Sequence, residues 1–480
     1  MSGSVAVVAA VDLGATSGRV MLGYVGRGAV TLVPTARFPN NPVRTPDGLH
    51  WNILELYRNV STGLADALRR EPDVRSIGVD SWAVDYALLR GGRMLGNPYH
   101  YRDDRCAPAA GRTHSTIPFE QLYPRNGLQF LPFNTVYQLV ADRDAGWLEF
   151  ADRILMIPDL VNFWLTGEAR AEKTNASTTG LLDVHSREWD IELADRLGIS
   201  PSILPRLIEP GALVGELSRA TADTLGARRP VPVTAVGSHD TASAVAAVPA
   251  ETTDFAYISC GTWSLVGLEL EEPVMSEAAR LENFTNEAGV DGRIRFLKNV
   301  SGLWLLNESV RTWELASGAS VELAPLLEAA SGIDETVPVF DVNDPVFVPP
   351  GDMPVRITAW YRDHDLPAPS SPAAIVRAIL ESLAHAYAST VEAASRLSGR
   401  RVDVVHIVGG GSQNRLLCQL TADRTGRTVV AGPVEATAIG NVLIQARAQG
   451  LLDGSLGALR DLVARTTGTV RYEPALRLRH

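Results

Sequence analysis

The sequence predicts an α/β protein of two domains with related architecture, and three observations carry that prediction. The chain has 480 residues, more than a single hydrophobic core usually organises at ~100–200 residues per domain. Short apolar, β-branched runs alternate with stretches whose apolar residues return at helical spacing. An opening pattern of strand, glycine turn and strand recurs near residue 255 as a weak internal repeat. The expected domains are 1–248 and 249–480, joined between Val248 and Thr253.

Taken in order, residues 5–11 are apolar and β-branched, and DLGATSGR, VMLGYV and VTLVPTARF follow. These predict three antiparallel strands with a glycine-rich first turn. From Asn52 onward Leu54, Tyr57, Leu64 and Leu68 recur as on a helix, which Glu71-Pro72 ends. Residues 77–80 read as the next strand. After the small-residue run SHDTASAVAAVPAETTD, the segment FAYISCGTWSLVGLEL restarts the opening pattern with the turn Gly261-Thr262. Ser371 as N-cap, Pro372 in the first turn and Gly399 as C-cap bound one long helix. Strand VVHIV, loop GGGSQN, helix RLLCQLTADRTG and a last helix from Ala436 complete the prediction.

Charge and cysteine content narrow the class. The 44 Lys and Arg against 55 Asp and Glu give a formal charge of −11, with 45% hydrophobic residues and no block of like charge. That balance fits a soluble globular enzyme and argues against nucleic acid as a partner. Lys173 and Lys298 are the sole lysines, so Schiff-base chemistry has few candidates. Cys106, Cys260 and Cys418 are odd in number and far apart, which gives neither a disulfide framework nor metal-ligand spacing and makes a reducing compartment the default. The apolar N-terminal stretch lacks a basic flank, a cleavage site and the ~20 residues needed to span a bilayer. The expectation is a cytoplasmic protein without a membrane partner, monomeric or homodimeric.

Familiar phosphate cradles fail on inspection. The nearest P-loop match begins at Gly167 and ends Lys173-Thr174, but Glu172 stands where the second glycine belongs and sets a negative charge against phosphate. No GxGxxG follows a strand and opens a helix, and HExxH, CxxC and GxSxG are absent. Two hairpin turns remain, DLGATSG and SCGTWSL. Turns of glycine and hydroxyl residues expose backbone N–H groups that hold phosphate oxygens without lysine; each is also an ordinary way to join two strands. Asp12, before the first turn, is placed to hold Mg²⁺ through water. Gly409, Gly410 and Gly411 allow close backbone approach to a flat ligand such as adenosine.

In AVGSHDTASAVAAV an apolar strand gives way to an Ala-rich helical run at Ser238, His239, Asp240 and Thr241. Asp240 reads as an N-cap, and a carboxylate at a helix tip also stays ionised and faces whatever cleft lies there, fit to accept a hydroxyl proton. His239 suits either sugar oxygens or a satisfied core position. Trp82 and Asp85, in IGVDSWAVDYALL, offer an indole face and a carboxylate for vicinal hydroxyls, or simply core. Asn299 reads as a turn residue, and Lys298 as a solvated side chain or a phosphate guide.

DLGATSGRVML, IGVDSWAVDYALL, YRDDR, VGSHDTASAVAAVP, SCGTWSLVGLE, NFTNE with FLKNVSGLWLL, and VGGGSQNRLLCQLTADRTG with AGPVEATAIGN resemble, in order and to about residue 450, the rhamnulokinases among the FGGY carbohydrate kinases. The resemblance implies two ribonuclease-H-like domains of the actin and hexokinase type, with mixed sheets flanked by helices and an active-site cleft between them. It implies the reaction ATP + L-rhamnulose → ADP + L-rhamnulose 1-phosphate, with MgATP. Carried over by position, Ala15, Thr16, Ser17, Gly18, Arg19, Thr262, Asn307 and Gly410 bind ATP. Ala83, His239, Asp240, Thr241 and Asn299 meet the sugar, with Asp240 as proton acceptor. Ala83 stands where the family commonly has glycine and Asn307 where it commonly has glutamine, which bears on the choice of ketose and on a water-mediated nucleotide contact. Some cystines known in the family have no counterpart here. L-Fuculose, L-ribulose and D-xylulose stay open as substrates, since one pocket methyl is worth ~1–3 kcal/mol. An actin-like ATPase switch or a silent sugar sensor is the alternative from another class; the SWAVD and GSHDTAS segments speak against the first, and Asp12 with Asp240 against the second.

Overall fold

The computed structural model describes residues 5–26, 28–333, 335 and 337–475. The first apolar run forms β1 (Ala6–Leu13), buried along nearly its whole length. This is why its sequence is continuously apolar rather than alternating. β2 (Ser17–Gly26) and β3 (Ala29–Pro39) follow as the predicted antiparallel meander. α1 (Ile53–Arg70) ends where Glu71 caps its last turn, and β4 (Ile77–Ser81) then lies parallel to β1 with Asp80 opposite Asp12. With β5 (Leu213–Glu216) and β6 (Pro232–Thr234), the six-stranded sheet has the order β5-β6-β4-β1-β2-β3. α2 (Asp240–Ala246) follows β6.

The second sheet repeats the plan. β7 (Phe255–Cys260) and β8 (Trp263–Leu270) form an antiparallel hairpin. They are joined by β9 (Thr285–Ala288), β10 (Ile294–Ser301), β11 (Val404–Val408), β12 (Thr428–Ala431) and β13 (Val470–Tyr472) in the order β9-β10-β8-β7-β11-β12-β13. β7, β11 and β12 run parallel to one another, as β1, β4 and β6 do. The arrangement β10-β8-β7-β11-β12 therefore restates β3-β2-β1-β4-β6, and the sequence repeat is structural. The helices α3 (Trp304–Ser317), α4 (Pro372–Ser398) and α5 (Arg415–Thr425) intervene. α4 has the predicted bounds: the Ser371 hydroxyl accepts the Ala374 N–H at 3.2 Å, and Gly399 takes φ +68°.

By internal contacts the described residues form two compact units that are not contiguous in sequence: 5–251 with 269–296 and 436–467 form one, and 252–268, 297–435 and 468–475 the other. The returning helix α6 (Ala436–Ala448) is held in the first unit by Asn441 and Gln445, which donate to the carbonyls of Gly78 and Ala9 at 3.2 and 3.0 Å. One expectation needs correction: α6 is not the last helix, for α7 (Leu456–Thr466), capped by Ser455, and β13 follow it.

α6 crosses α2 at Gly440, where a Cβ would stand 1.8 Å from the Ser243 carbonyl oxygen. Neither helix backbone can yield that distance by a side-chain rotation. Gly440→Ala is expected to lower stability by ~1–3 kcal/mol or more, whereas Gly457→Ala, inside α7 with no near atom closer than 3.6 Å, should raise it by ~0.5–1 kcal/mol; urea unfolding of both variants reads the contrast.

Candidate active site

The turn between β1 and β2 is closed by the Gly14 N–H donating to the Ser17 carbonyl at 2.9 Å. Asn40 fastens it from outside, its side chain donating to the Gly14 carbonyl at 2.9 Å and its N–H to that of Thr16 at 3.0 Å. Ala15 is half-buried, and Thr16 and Ser17 are exposed. Gly18 is buried against Phe38, whose ring would lie 2.3 Å from a Cβ at this position. Asp12 is buried at the strand end, and Arg19 opposite it donates to Oδ2 at 2.8 Å through both Nε and Nη2. Beside Asp12 on β4, the fully buried Asp80 accepts from Asn441 Nδ2 at 2.5 Å through Oδ2, while its Oδ1 has no hydrogen-bond partner. Burial first, then the charges of Asp12 and Asp240, push its carboxyl well above the ordinary range.

The SHDT segment is held by the carboxylate that disqualifies the P-loop match. Glu172, buried, accepts from the Ser238 N–H at 2.9 Å and hydroxyl at 2.7 Å, and from the Thr174 N–H at 2.9 Å and hydroxyl at 2.5 Å. Thr174 in turn accepts the His239 N–H at 3.2 Å. Asp240 is the first helical residue of α2 and His239 the capping position, where no side chain makes the cap bond. The predicted capping role for Asp240 is therefore not taken. Its carboxylate, 29% exposed, accepts from the Thr241 hydroxyl at 3.1 Å. Desolvation raises its carboxyl above the ordinary value and Asp12 adds to the rise, against His239 and Thr241. The buried His239 has Nε2 3.6 Å from Asp240 Oδ1, with Arg295 and Glu287 at its other nitrogen.

Asp85 has both oxygens engaged. Oδ2 accepts from Trp51 Nε1 at 2.6 Å, Trp82 Nε1 at 3.1 Å and the Tyr101 N–H at 3.2 Å, and Oδ1 from Gln138 Nε2 at 2.8 Å. A carboxylate so saturated has little left for vicinal hydroxyls of a ligand; it anchors the neighbouring Trp51 and Trp82 indoles, whose rings are tilted by 36° with centroids 4.1 Å apart. Ala83 is half-buried, and its carbonyl accepts the Asp85 N–H at 2.9 Å across Val84, whose φ is +66°. A β-branched residue in this region is strained. The Thr135 hydroxyl donates to the Val84 carbonyl at 2.6 Å and helps to hold the turn.

In the second unit the Gly261-Thr262 turn is backed by the start of α3. The Leu303 and Trp304 N–H groups donate to the Gly261 and Thr262 carbonyls at 3.0 and 3.1 Å. Gly302 permits this approach, since a Cβ there would lie 2.6 Å from the Trp263 backbone. Asn307 is exposed on the first turn of α3, and Asn299 and Lys298 are half-buried on β10. Gly411 packs on Cys260, with 2.1 Å between its would-be Cβ and the sulfur, while Gly410 faces open space. Burial raises the Cys260 thiol, and all three cysteines are buried and unbridged. Thus Asp12, Ala15 to Arg19, Trp82, Ala83 and 239–241 gather in one unit, and Thr262, Asn299, Asn307 and Gly410 belong to the other.

Sequence reasoning missed Asp80, Glu172, Glu287 and Arg295. Asp80 alone left a trace, a carboxylate inside an apolar strand sequence. Among the described residues no three His, Cys, Asp or Glu side chains close on a metal position. Adjacent Asp12 and Asp80, one with an unpartnered oxygen, still suit a hard cation that keeps most of its water.

Profiles of the FGGY family of carbohydrate kinases match the chain over 7–247 for the N-terminal domain and 256–449 for the C-terminal domain. The chain belongs to this family. Among similar FGGY proteins, a rhamnulokinase of Bacteroides thetaiotaomicron is 39% identical over 97% of this chain and 95% of its own length. Rhamnulokinases of Pectobacterium atrosepticum and Enterococcus faecalis are 41% and 40% identical, over 97% and 92% of this chain and 93% and 89% of their own. A gluconate kinase from Lactobacillus acidophilus superimposes with a TM-score of 0.78 at 17% identity, over 98% of this chain and 94% of that one. A xylulose kinase from Rhodospirillum rubrum does so with 0.77 at 20%, over the same shares. These likenesses confirm the two-domain α/β kinase fold. Among the described residues no helix is long and apolar enough to cross a membrane.

Burial raises the Asp85 carboxyl to about 6 against the hydrogen bonds of Gln138, Trp51 and Trp82. The folded state then keeps this proton longer than the unfolded chain, so its contribution to stability falls as pH rises from about 4 to about 6. Asp85→Asn should flatten that part of the pH–stability curve, and Asp85→Ala, which strands the indole N–H groups, should cost roughly 2–4 kcal/mol at pH 7; chemical denaturation across pH measures both.

Proposed function

We propose that this FGGY kinase transfers the γ-phosphoryl group of ATP to O1 of L-rhamnulose, with Asp240 accepting the hydroxyl proton. The chemistry rests on one observation above all: a partly exposed carboxylate at the start of α2, released from capping and raised by desolvation. The sugar rests on full-length relatives named rhamnulokinase at about 40% identity.

Phosphoryl transfer asks for positioning, charge neutralisation and an acceptor for the proton. As O1 attacks the γ-phosphorus, its proton passes to Asp240 and the bond to the ADP oxygen breaks. A carboxyl held above its ordinary value is a stronger base than a solvated one. Glu172 fixes the segment, so the carboxylate meets the hydroxyl without a costly search of conformations. Backbone N–H groups of Ala15, Thr16, Ser17 and Gly18, with Arg19, would take the phosphates, and Thr262, Asn307 and Gly410 would complete the nucleotide contacts. Ala83, His239, Thr241 and Asn299 would meet the ketose, with Trp82 held behind them by Asp85. Asp12, through water and with Asp80 next to it, would hold Mg²⁺, which neutralises phosphate charge when bound.

Asp240→Asn should leave ATP affinity near wild type and lower kcat by at least 10²- to 10⁴-fold, roughly the range for a general base; retention of turnover removes Asp240 from the chemistry. Because the carboxylate must be ionised, kcat/KM should fall on the acid side, with its limb above the ordinary aspartate value near 4. The same coupled assay of ADP release, run with L-rhamnulose, L-fuculose, L-ribulose, D-xylulose and no sugar, identifies the ketose. A preference for another sugar keeps the kinase and points to the methyl group of Ala83, with Ala83→Gly as the reverting variant.

A further inference from the structure

NFTNE and the strand after it place two charged residues behind the sugar-side histidine. Glu287 lies on β9 and Arg295 on β10, and both are buried, Arg295 with 0% exposure. Arg295 Nε donates to the Ala288 carbonyl at 3.0 Å, and Nη1 lies 3.1 Å from Glu287 Oε2. The guanidinium is thus fixed on two sides. Burial pushes the Glu287 carboxyl up, but the Arg295 charge together with the neighbouring His239 holds the group below its ordinary value. The ion pair is therefore charged, which a buried guanidinium requires.

The remaining arm of Arg295, Nη2, stands 3.1 Å from His239 Nδ1 with hydrogen-bond geometry. Arginine has five donors and no acceptor, so this contact needs a lone pair on Nδ1. The proton of the neutral ring is then on Nε2. Nε2 lies 3.6 Å from Asp240 Oδ1, too far for that carboxylate to consume the hydrogen. Of the charged or titratable side chains in contact with the ring, Asp240 comes from α2, Glu287 from β9 and Arg295 from β10.

We propose that Arg295, locked by Glu287, is a positioning residue that holds His239 in its Nε2–H form, so that the ring donates a hydrogen bond to the sugar oxygen beside the hydroxyl that Asp240 deprotonates. The proposal rests on the reading of Asp240 as proton acceptor. Donor and acceptor then stand side by side, which matches a substrate whose reacting hydroxyl neighbours a carbonyl or hemiketal oxygen. Phosphorylatable polyols and ketoses both offer an oxygen there, and the ketose carbonyl, which can only accept, gains most from a fixed donor.

The tautomer is read directly by ¹⁵N NMR of the wild-type chain labelled at its nine histidines, with His239 assigned by the signal lost in His239→Gln. An unprotonated Nδ1 and a protonated Nε2 are expected; a protonated Nδ1, donating to Glu287 Oε2 at 3.2 Å, overturns the proposal. In kinetics, Arg295→Met should raise the ketose KM by roughly 10-fold or more with the ATP KM unchanged, and Arg295→Lys, which keeps a donor, should recover part of the loss. Equal loss in KM for both substrates overturns the positioning role. The wild-type spectrum needs no variant of Arg295, so a misfolded Arg295→Met leaves the test intact. An Nδ1–H ring together with an inactive Asp240→Asn removes this inference alone, whereas an active Asp240→Asn removes the reading of the site on which it stands.

Discussion

A buried carboxylate must be surrounded by donors, and the first unit is organised around that requirement. Glu172 shows it most fully: its oxygens are filled by Thr174 and Ser238, so two segments far apart in sequence are fixed to one point. Hydrogen bonds to a charged group buried from water are costly to leave unmade. The strand-to-helix crossing at Ser238 and His239 thus has little freedom, and Asp240 inherits that rigidity. Asp85 does the same for the Trp51–Trp82 pair.

Close approach by glycine is the second constraint, and it serves backbone more than flexibility. Gly440 brings α6 onto α2, Gly302 brings the start of α3 onto the Gly261-Thr262 turn, and Gly411 seats the triple-glycine loop on Cys260. At Gly440 and Gly302 the partner is backbone, so a methyl group displaces a whole element; at Gly411 it meets the buried Cys260 side chain. The two hairpin turns that the sequence suggested as phosphate cradles are consequently braced from behind, by Asn40 in one unit and by Leu303 and Trp304 in the other.

Much of this was legible. The meander, α1 and α4 follow from apolar spacing, from the stop at Glu71-Pro72 and from caps at Ser371 and Gly399, because these are local signals. Asp240 was legible as a carboxylate at the start of the Ala-rich helix, though not its place inside the helix rather than at the cap. Asp85 reads from sequence as a ligand for hydroxyls because its four donors come from Trp51, Trp82, Tyr101 and Gln138, three of them on segments that no spacing connects. Glu172 served in the sequence only to exclude a P-loop; burial against Ser238 turned the same charge into a fastening. Glu287, in NFTNE, and Arg295, just before FLKNVSG, had no visible task until β9 and β10 set them behind His239.

By itself, the sequence determined the α/β class, the repeated strand–turn–strand plan, the turn chemistry and the identity of the family, since each depends on neighbours within a few residues or on ordered motifs. The tertiary structure decided which unit α6 joins, which carboxylates are saturated and which are open, and on which nitrogen His239 meets Arg295. Those outcomes depend on contacts such as Asn441 with Asp80 and Ser238 with Glu172. The partners are separated by hundreds or tens of residues, and desolvation acts on them only once the chain has folded.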